Sequence, residues 1–210
     1  MKSITTHEKT LNMVQLAFLA AIEVVLTLLY IPVGTININF GLTPIIIAAV
    51  LMGPIKGAVI GAVSGIVTMF QVISGQGVFY MFLMAENPVA ACILCIIKTT
   101  AAGFICGIVF KAIDKIFKHR AITSVISSAV CPLVNTGLFA LGMILIFGKA
   151  LMANPEISAW ANGGGLVVLV FVALIGVNFF VELLLNAVIC PLIIKALRAA
   201  KLFKTKDTQT

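Results

Sequence analysis

Three polar residues recur at intervals of four near the C-terminal end of the chain, in the stretch GVNFFVELLLNAV at residues 176–188. If this stretch is helical, Asn178, Glu182 and Asn186 lie along one narrow face. The side chains around them are almost all apolar. A carboxylate between two amides can hydrogen-bond a polar ligand, pair with a cation or carry a proton.

A lysine and an asparagine interrupt two other apolar segments, since Lys98 lies in residues 88–110 and Asn135 in residues 121–147. A central charge in a membrane helix costs roughly 3 kcal/mol, so such residues normally face a cavity, a partner or a pathway. One interpretation is a structural ion pair between Lys98 and Glu182. The other is a binding site in which Lys98 meets a ligand carboxylate, while Asn135, Asn178 and Glu182 contact its hydroxyl or amide groups. The two are compatible, because such a pair can open to admit an anion.

The composition identifies the kind of protein that must position these residues. The 210 residues are 61% hydrophobic and only 10% charged, and the mean hydropathy is +1.20. Apolar runs of roughly 20 residues recur, which is the length that a helix needs to cross a bilayer. We therefore predict an all-α integral membrane protein.

Several kinds of chemistry are disfavoured by what the sequence lacks. It contains no G-x-x-x-x-G-K-[ST] motif for ATP hydrolysis and no H-E-x-x-H zinc motif. Its two histidines, His7 and His119, fall in predicted loops, and its five cysteines all lie in apolar segments. We expect neither an enzyme nor a bound metal or cofactor.

Six membrane helices are predicted, joined by short loops. The second is brief, and it follows a segment at 36–40 where apolar residues alternate with Asn37 and Asn39, as in a short extended strand. We expect the loop at 32–43 to dip into the bundle. The predicted helices are 11–31, 44–52, 55–73, 88–110, 121–147 with an interruption at Pro132, and 166–194, with loops at 74–87, 111–120 and 148–165.

The basic residues predict the orientation of the chain. With six crossings and both termini cytoplasmic, twelve of the 14 basic residues lie on the inner side, and only Lys98 and Lys149 do not. This places the net charge of +7 at the membrane and does not indicate nucleic-acid binding. We predict one domain over 1–210, with a cytoplasmic N-terminus at 1–10 and a basic cytoplasmic tail at 198–210.

Small residues mark two helix faces for close packing. Gly57, Gly61 and Gly65 form a ridge on the third helix, and Ala17 and Ala21 lie one turn apart on the first. Ridges of this kind let another helix approach closely in lipid.

Residues in and near the loops add candidates to the binding site. Asn37 and Asn39 can present a polar edge to a ligand, and Tyr80 and Asn87 lie between the third and fourth helices. For Tyr80 and Trp160, anchoring at the membrane interface is the competing explanation. Asn186 suits a hydrogen bond across helices, and we assign no role to Glu23.

The arrangement as a whole resembles the substrate-binding S components of energy-coupling factor (ECF) vitamin transporters. The residues that carry the resemblance are AFLAA in the first helix, the stretch IPVGTININFGLTPIIIAAVLMGPIKGAVIGAVSG at 31–65, the cationic residue in the fourth helix, and NFFVELLLN. The middle stretch is most like the pantothenate and folate branches. The resemblance implies a multi-pass protein of the bacterial cell membrane that serves an ABC-type importer.

The resemblance also implies partners, a site and a cargo. Ala17 and Ala21 would dock onto a transmembrane T component that two ATPase subunits drive. The pocket would lie toward the outer side, closed by the first loop and by the loop between helices three and four, and it would include Asn37, Asn39, Lys98, Asn135 and Asn178. One cation among amides suits a small vitamin that carries a carboxylate and hydroxyls. Pantothenate is the expected substrate, with folate and riboflavin as alternatives.

Two other functions fit the residues and remain open at this point. The chain could be a stand-alone secondary transporter with Glu182 as its proton site, although no inverted repeat is evident. It could also be an assembly subunit that binds no ligand, in which the glycine ridge and polar residues only hold helices together.

Overall fold

The computed structural model describes residues 6–33, 36–75, 78–117, 120–200 and 202. Ten α-helices and one β-hairpin form this part of the chain. A 3-10 turn at Ala159–Ala161 and a π-helical segment at Leu169–Ile175 precede the last long helix. The elements are α1 Thr6–Leu28, β1 Tyr30–Val33, β2 Ile36–Asn39, α2 Leu42–Leu51, α3 Pro54–Ile73, α4 Val78–Glu86, α5 Pro88–Phe117, α6 Arg120–Leu145, α7 Gly148–Ala153, α8 Pro155–Ser158, α9 Gly165–Val168 and α10 Gly176–Ala199.

Five of the described helices, α1, α3, α5, α6 and α10, are long and apolar enough to cross a membrane. Two consecutive helical segments, Pro155–Ala161 and Gly165–Val172, are together also long and apolar enough to form a sixth span, but the chain bends by 82° between them. α2 has ten residues, which rise only about 15 Å. The predicted all-α membrane fold is confirmed, with a second helix that is as short as expected.

α2 lies at the centre of the bundle. All ten of its residues are buried, and it contacts α1, α3, α5, α6 and α10. A continuous run of apolar residues allows this, because every face of the helix meets another helix instead of water or lipid. A ten-residue helix therefore serves as the core around which the spanning helices pack.

The glycine ridge of α3 packs against α5, as predicted. A Cβ atom added to Gly61 would lie 2.3 Å from the backbone oxygen of Thr99, and one added to Gly57 would lie 2.7 Å from that of Gly103. At Gly65 the nearest atom would be the Cα of Ile96, at 2.6 Å. Only glycine permits this backbone approach, and it fixes α5 against α3 on both sides of Lys98.

The first helix ends earlier than predicted, because the chain leaves it at Leu28 to form a hairpin. β1 pairs with β2 in antiparallel register, with Ile31 opposite Ile38 and Pro32 opposite Asn37. The alternation at 36–40 correctly predicted β2, but β1 was not predicted, because Tyr30–Val33 is apolar and carries no alternation. Its first two residues fall in the predicted helix and its last two in the predicted loop. The hairpin contacts α10 through β2.

Three further expectations about the elements are wrong. The segment at 74–87 contains α4, which is apolar enough to pack on the bundle. α5 continues to Phe117, so that most of the predicted loop at 111–120 is helical. α6 runs through Pro132 without a break, because α5 and α10 pack along it and other groups can satisfy the freed backbone carbonyl.

Helix ends also differ from the predicted boundaries at the termini. α1 begins at Thr6 and α10 continues to Ala199, so the inner part of each predicted terminal segment is helical. Residues 1–5 and 203–210 lie outside the described residues.

The first turns of α1 and the residue Leu202 beyond α10 meet at one end of the bundle. The side-chain amide of Gln15 on α1 donates to the backbone carbonyl of Leu202, which follows α10. The ammonium of Lys111, late in α5, lies 3.6 Å from the position of a Cβ on Gly53, at the turn between α2 and α3. We call this the basic end of the bundle and the opposite one the distal end.

Candidate functional site

Lys98 lies in the third turn of α5, which packs against α3 and α6. Its Nζ atom sits 5.0 Å from the centre of the Phe139 ring, a cation–π contact with α6. The Lys98 side chain is half-buried. Its charge is therefore held by an aromatic face at the position where the sequence predicted a ligand-binding cation.

Glu182 of α10 is the acidic residue that faces Lys98. The two attract each other electrostatically, yet among the described residues neither takes part in a direct ion pair within 4.0 Å. The structural ion pair, one of the two interpretations of these residues, is not formed among the described residues. The two groups interact electrostatically without a direct ion pair, so each can still bind a third group.

Two amides of the predicted site each keep an unused oxygen. The Oδ1 atoms of Asn135 on α6 and Asn178 on α10 are buried and have no hydrogen-bond partner among the described residues. Asn135 lies one turn before Phe139, and Asn178 lies one turn before Glu182, so each shares a helix face with the pair around Lys98. A buried acceptor without a donor costs roughly 1–3 kcal/mol, which a ligand N–H or O–H would recover.

Phe139 is the site residue that the sequence analysis missed. Its ring meets that of Phe79 on α4 edge-on, with the ring centres 6.4 Å apart, and Phe79 in turn contacts Tyr80 at 6.3 Å. The available signal was the four-residue spacing of Phe139 from Asn135, but an aromatic residue in an apolar helix usually indicates core packing. The contact with Lys98 appears only when α5 and α6 are placed side by side.

Tyr80 reaches the same region from α4. The Tyr80 side chain is half-buried, and burial, together with the nearby Cys95 thiol, raises the pKa of its phenol. The phenol therefore keeps its proton and can donate a hydrogen bond. Cys95 lies one turn before Lys98 on α5 and also interacts with it electrostatically, which places Tyr80 on the Lys98 side of the bundle.

Asn178, Glu182 and Asn186 form a polar stripe on α10, and the end at Asn186 is hydrogen-bonded within the protein. Asn186 is buried, and its amide nitrogen donates to the backbone oxygen of Glu182 at 2.8 Å. Its Oδ1 accepts from the Thr43 hydroxyl at 3.1 Å and from the Cys190 thiol at 3.3 Å. This agrees with the expectation that Asn186 bonds across helices, since Thr43 belongs to α2.

The remaining candidates are Asn87, Asn37 and Asn39, and no hydrogen bond of the described residues joins Asn87 to Lys98 or Glu182. Asn87 is exposed and caps α5, because its side-chain oxygen accepts from the backbone N–H of Ala90 at 3.0 Å. Asn37 and Asn39 belong to β2, but their side chains lie outside what the structure describes. Their role at the site stays a prediction.

Glu23 is a second buried carboxylate, separate from this site. It is fully buried between α1 and α3, and its Oε1 accepts from the Thr27 hydroxyl at 2.7 Å. Ser64 of α3 and the Cys131 thiol of α6 also lie near it. No side chain of the predicted ligand site interacts with Glu23 among the contacts of the described residues.

The small-residue face of α1 points out of the bundle. Ala17 and Ala21 are both exposed, and a shallow apolar cavity of about 240 Å³ is lined by Ala21, Ile22, Val25 and Leu26. A face of this shape can accept a helix from outside the chain, or lipid.

Comparison with known proteins agrees with this architecture. The family model "ECF transporter, substrate-specific component" matches residues 11–194. A solved structure of ThiT from Listeria monocytogenes is similar to this chain with a TM-score of 0.57 at 15% identity, covering 93% of this chain and 98% of that one. No curated protein sequence matches the chain.

The structural match supports the fold, and the family match supports the family assignment. At 15% identity the likeness to ThiT concerns the fold, and it covers nearly the whole length of both chains. The family match extends from the second turn of α1 to the last turns of α10, and so includes every candidate residue of the site. The chain belongs to the family of substrate-specific components of ECF transporters.

Proposed function

We propose that this chain is the vitamin-binding subunit of an ECF importer and that its site takes a small vitamin that carries a carboxylate and hydroxyl or amide donors. The observation that carries the proposal is the state of Lys98, whose ammonium rests on the Phe139 ring and is not ion-paired with Glu182. A charge held by a weak partner in a low-dielectric region is available to a stronger one.

The neighbours of Lys98 support the same class of ligand. The free amide oxygens of Asn135 and Asn178 call for donors on the ligand, as hydroxyls and amides supply. Pantothenate combines one carboxylate with two hydroxyls and one amide, and it is the substrate we propose. Folate and riboflavin are the alternatives, since the rings of Phe139, Phe79 and Tyr80 offer aromatic surfaces near Lys98. Riboflavin has no carboxylate to pair with Lys98.

Calorimetric titration of the purified chain in detergent tests this proposal. Pantothenate, folate, riboflavin, biotin and thiamine are each titrated into the wild type and into Lys98→Ala. Lys111→Ala is the matched control, since Lys111 is an exposed lysine at the basic end of the same helix. We expect tight one-to-one binding of pantothenate that weakens at least about a hundredfold in Lys98→Ala and stays unchanged in Lys111→Ala.

Other outcomes would change the assignment in specific ways. Binding that persists in Lys98→Ala would return Lys98 to a structural role. If none of the five vitamins binds, the proposed ligand class is wrong. Uptake into proteoliposomes by the chain alone, driven by a proton gradient, would support a secondary transporter that uses Glu182.

We further propose that α1 docks onto a T component through Ala17 and Ala21, with two ATPase subunits supplying the energy. Support comes from the exposure of both alanines beside the apolar cavity. Ala21→Leu should abolish co-purification with the T component and leave vitamin binding intact. Ala112→Leu, at an exposed alanine of α5, should affect neither, whereas co-purification that survives Ala21→Leu would exclude this face.

A further inference from the structure

We infer that Phe139 is a positioning residue that holds the Lys98 ammonium toward the ligand space and away from Glu182, an inference that rests on the proposed function. The ring centre lies 5.0 Å from Nζ, which is within the range of a cation–π contact. Phe139 would thus act on the ligand through Lys98.

The ring is held in place from two sides. Phe139 belongs to α6, one turn beyond Asn135, and Phe79 of α4 packs edge-on against it with ring centres 6.4 Å apart. An edge-on aromatic pair restrains both rings and leaves the face of one of them open to a cation. The orientation that Lys98 meets is therefore set by α4 and α6 before any ligand arrives.

Without this ring, Lys98 would lose the contact that competes with its attraction for Glu182. The two already attract each other electrostatically, and in a region of low dielectric a direct pair would be strong. An incoming carboxylate would then have to break that pair before it could bind. The ring offers a weaker attraction, so a ligand carboxylate can displace it.

This arrangement specifies which ligands depend on Phe139. Only a ligand with an anionic group competes with the ring for Lys98. A ligand that lacks the anion but keeps the hydroxyls would still meet Asn135 and Asn178, and its affinity would not depend on the ring. The test therefore compares pantothenate with pantothenyl alcohol, in which a hydroxymethyl group replaces the carboxylate.

The binding experiment uses Phe139→Leu, which keeps an apolar side chain of similar bulk and removes the aromatic face. We expect the affinity for pantothenate to fall about tenfold and that for pantothenyl alcohol to change less than twofold. Adding Glu182→Gln should restore the loss, so that Phe139→Leu/Glu182→Gln binds pantothenate within about twofold of Glu182→Gln alone. Phe139→Tyr, which keeps the aromatic face, should bind like the wild type.

Phe179→Leu is the matched control, because Phe179 is a half-buried phenylalanine of α10 that packs on the same apolar cluster. A merely structural role for Phe139 would lower the affinity for both ligands and would not respond to Glu182→Gln. Equal losses for pantothenate and its alcohol would therefore overturn the inference, as would wild-type affinity in Phe139→Leu. Binding of thiamine alone would also overturn it, because a cation cannot replace the ring as a partner of Lys98.

A measurement without ligand separates this inference from the proposed function. NMR of the protein labelled with 13C at the lysine ε-carbons, assigned with Lys98→Arg, should show the Lys98 signal shifted upfield by the ring. That shift should be lost in Phe139→Leu and kept in Phe179→Leu. An unshifted Lys98 signal in the wild type overturns the inference even if pantothenate binds. If none of the five vitamins binds, the proposed function is wrong, and this spectrum still decides whether the Phe139 ring contacts Lys98.

Discussion

Two asparagines of α10, eight residues apart on the same helix face, differ in how the protein uses them. Asn186 uses its amide nitrogen and its oxygen in bonds within the protein, to residues of α2 and α10. Asn178 keeps a buried oxygen without a partner among the described residues. Identical side chains on one stripe thus have different roles. One closes the contact between helices, and the other faces the space around Lys98.

The difference follows from which residues lie near each asparagine. α2 is short, and Thr43 at its first turn reaches Asn186. Beyond that turn toward the distal end, Glu182 interacts electrostatically with Lys98 of α5, and the Asn178 Oδ1 atom has no partner from α2 among the described residues. A core helix of ten residues therefore fills the basic half of the bundle and leaves room for a polar site in the distal half.

The largest expected effect is on the free energy of unfolding. It appears when a glycine on the packed face of α3 is compared with a glycine on an unpacked face of α6. In Gly61→Ala the new Cβ would meet the Thr99 backbone oxygen at 2.3 Å, whereas at Gly137 on α6 there is nothing within 4 Å. We expect Gly61→Ala to lower the free energy of unfolding by about 3 kcal/mol and Gly137→Ala to leave it unchanged or raise it by up to about 1 kcal/mol. Thermal unfolding in detergent measures both, and equal stability of the two variants would contradict the packed ridge.

The two asparagines themselves should respond in opposite ways. Asn186→Leu leaves the Thr43 hydroxyl and the Cys190 thiol without their acceptor, so it should lower stability by about 2 kcal/mol with little change in vitamin affinity. Asn178→Leu removes an oxygen that has no partner, so it should keep stability and weaken vitamin binding about tenfold. Calorimetry and thermal unfolding of both proteins check this, and a loss of stability in Asn178→Leu would remove the distinction.

A smaller effect is expected where α2 meets the stripe. Thr43→Val removes one of the two donors to Asn186 Oδ1 and leaves the Cys190 thiol as the other. The free energy of unfolding should fall by about 1 kcal/mol, without an effect on binding. Thr68→Val is the control, since the Thr68 hydroxyl bonds only within its own helix, to the Ser64 carbonyl. A weaker vitamin affinity in Thr43→Val would show that the closed end of the stripe also belongs to the site.

The smallest effect is expected at Glu182, midway between the two asparagines. Its attraction for Lys98 competes with that of a ligand carboxylate. Glu182→Gln should therefore raise the affinity for pantothenate about threefold, and Glu86→Gln, at an exposed position on α4, should not. A large loss of affinity in Glu182→Gln would instead identify Glu182 as a direct ligand contact.

The membrane class, the order of the long helices, the short second helix and the glycine ridge could all be predicted from the sequence. Each of these depends on local composition or on a fixed spacing, such as the length of an apolar run or the four-residue interval of Gly57, Gly61 and Gly65. The sequence also singled out Lys98, Asn135, Asn178 and Glu182, because a polar residue is conspicuous in an apolar helix.

The tertiary structure decided which of those polar residues are satisfied and by what. Contacts between Lys98 and Phe139, or between Thr43 and Asn186, join helices that are distant in sequence and carry no local pattern. The hairpin strand β1, the helix α4 and the unbroken course of α6 through Pro132 depend in the same way on the neighbours that each segment packs against. A single apolar stretch does not encode its neighbours, so the ring that holds Lys98 could be found only in the folded chain.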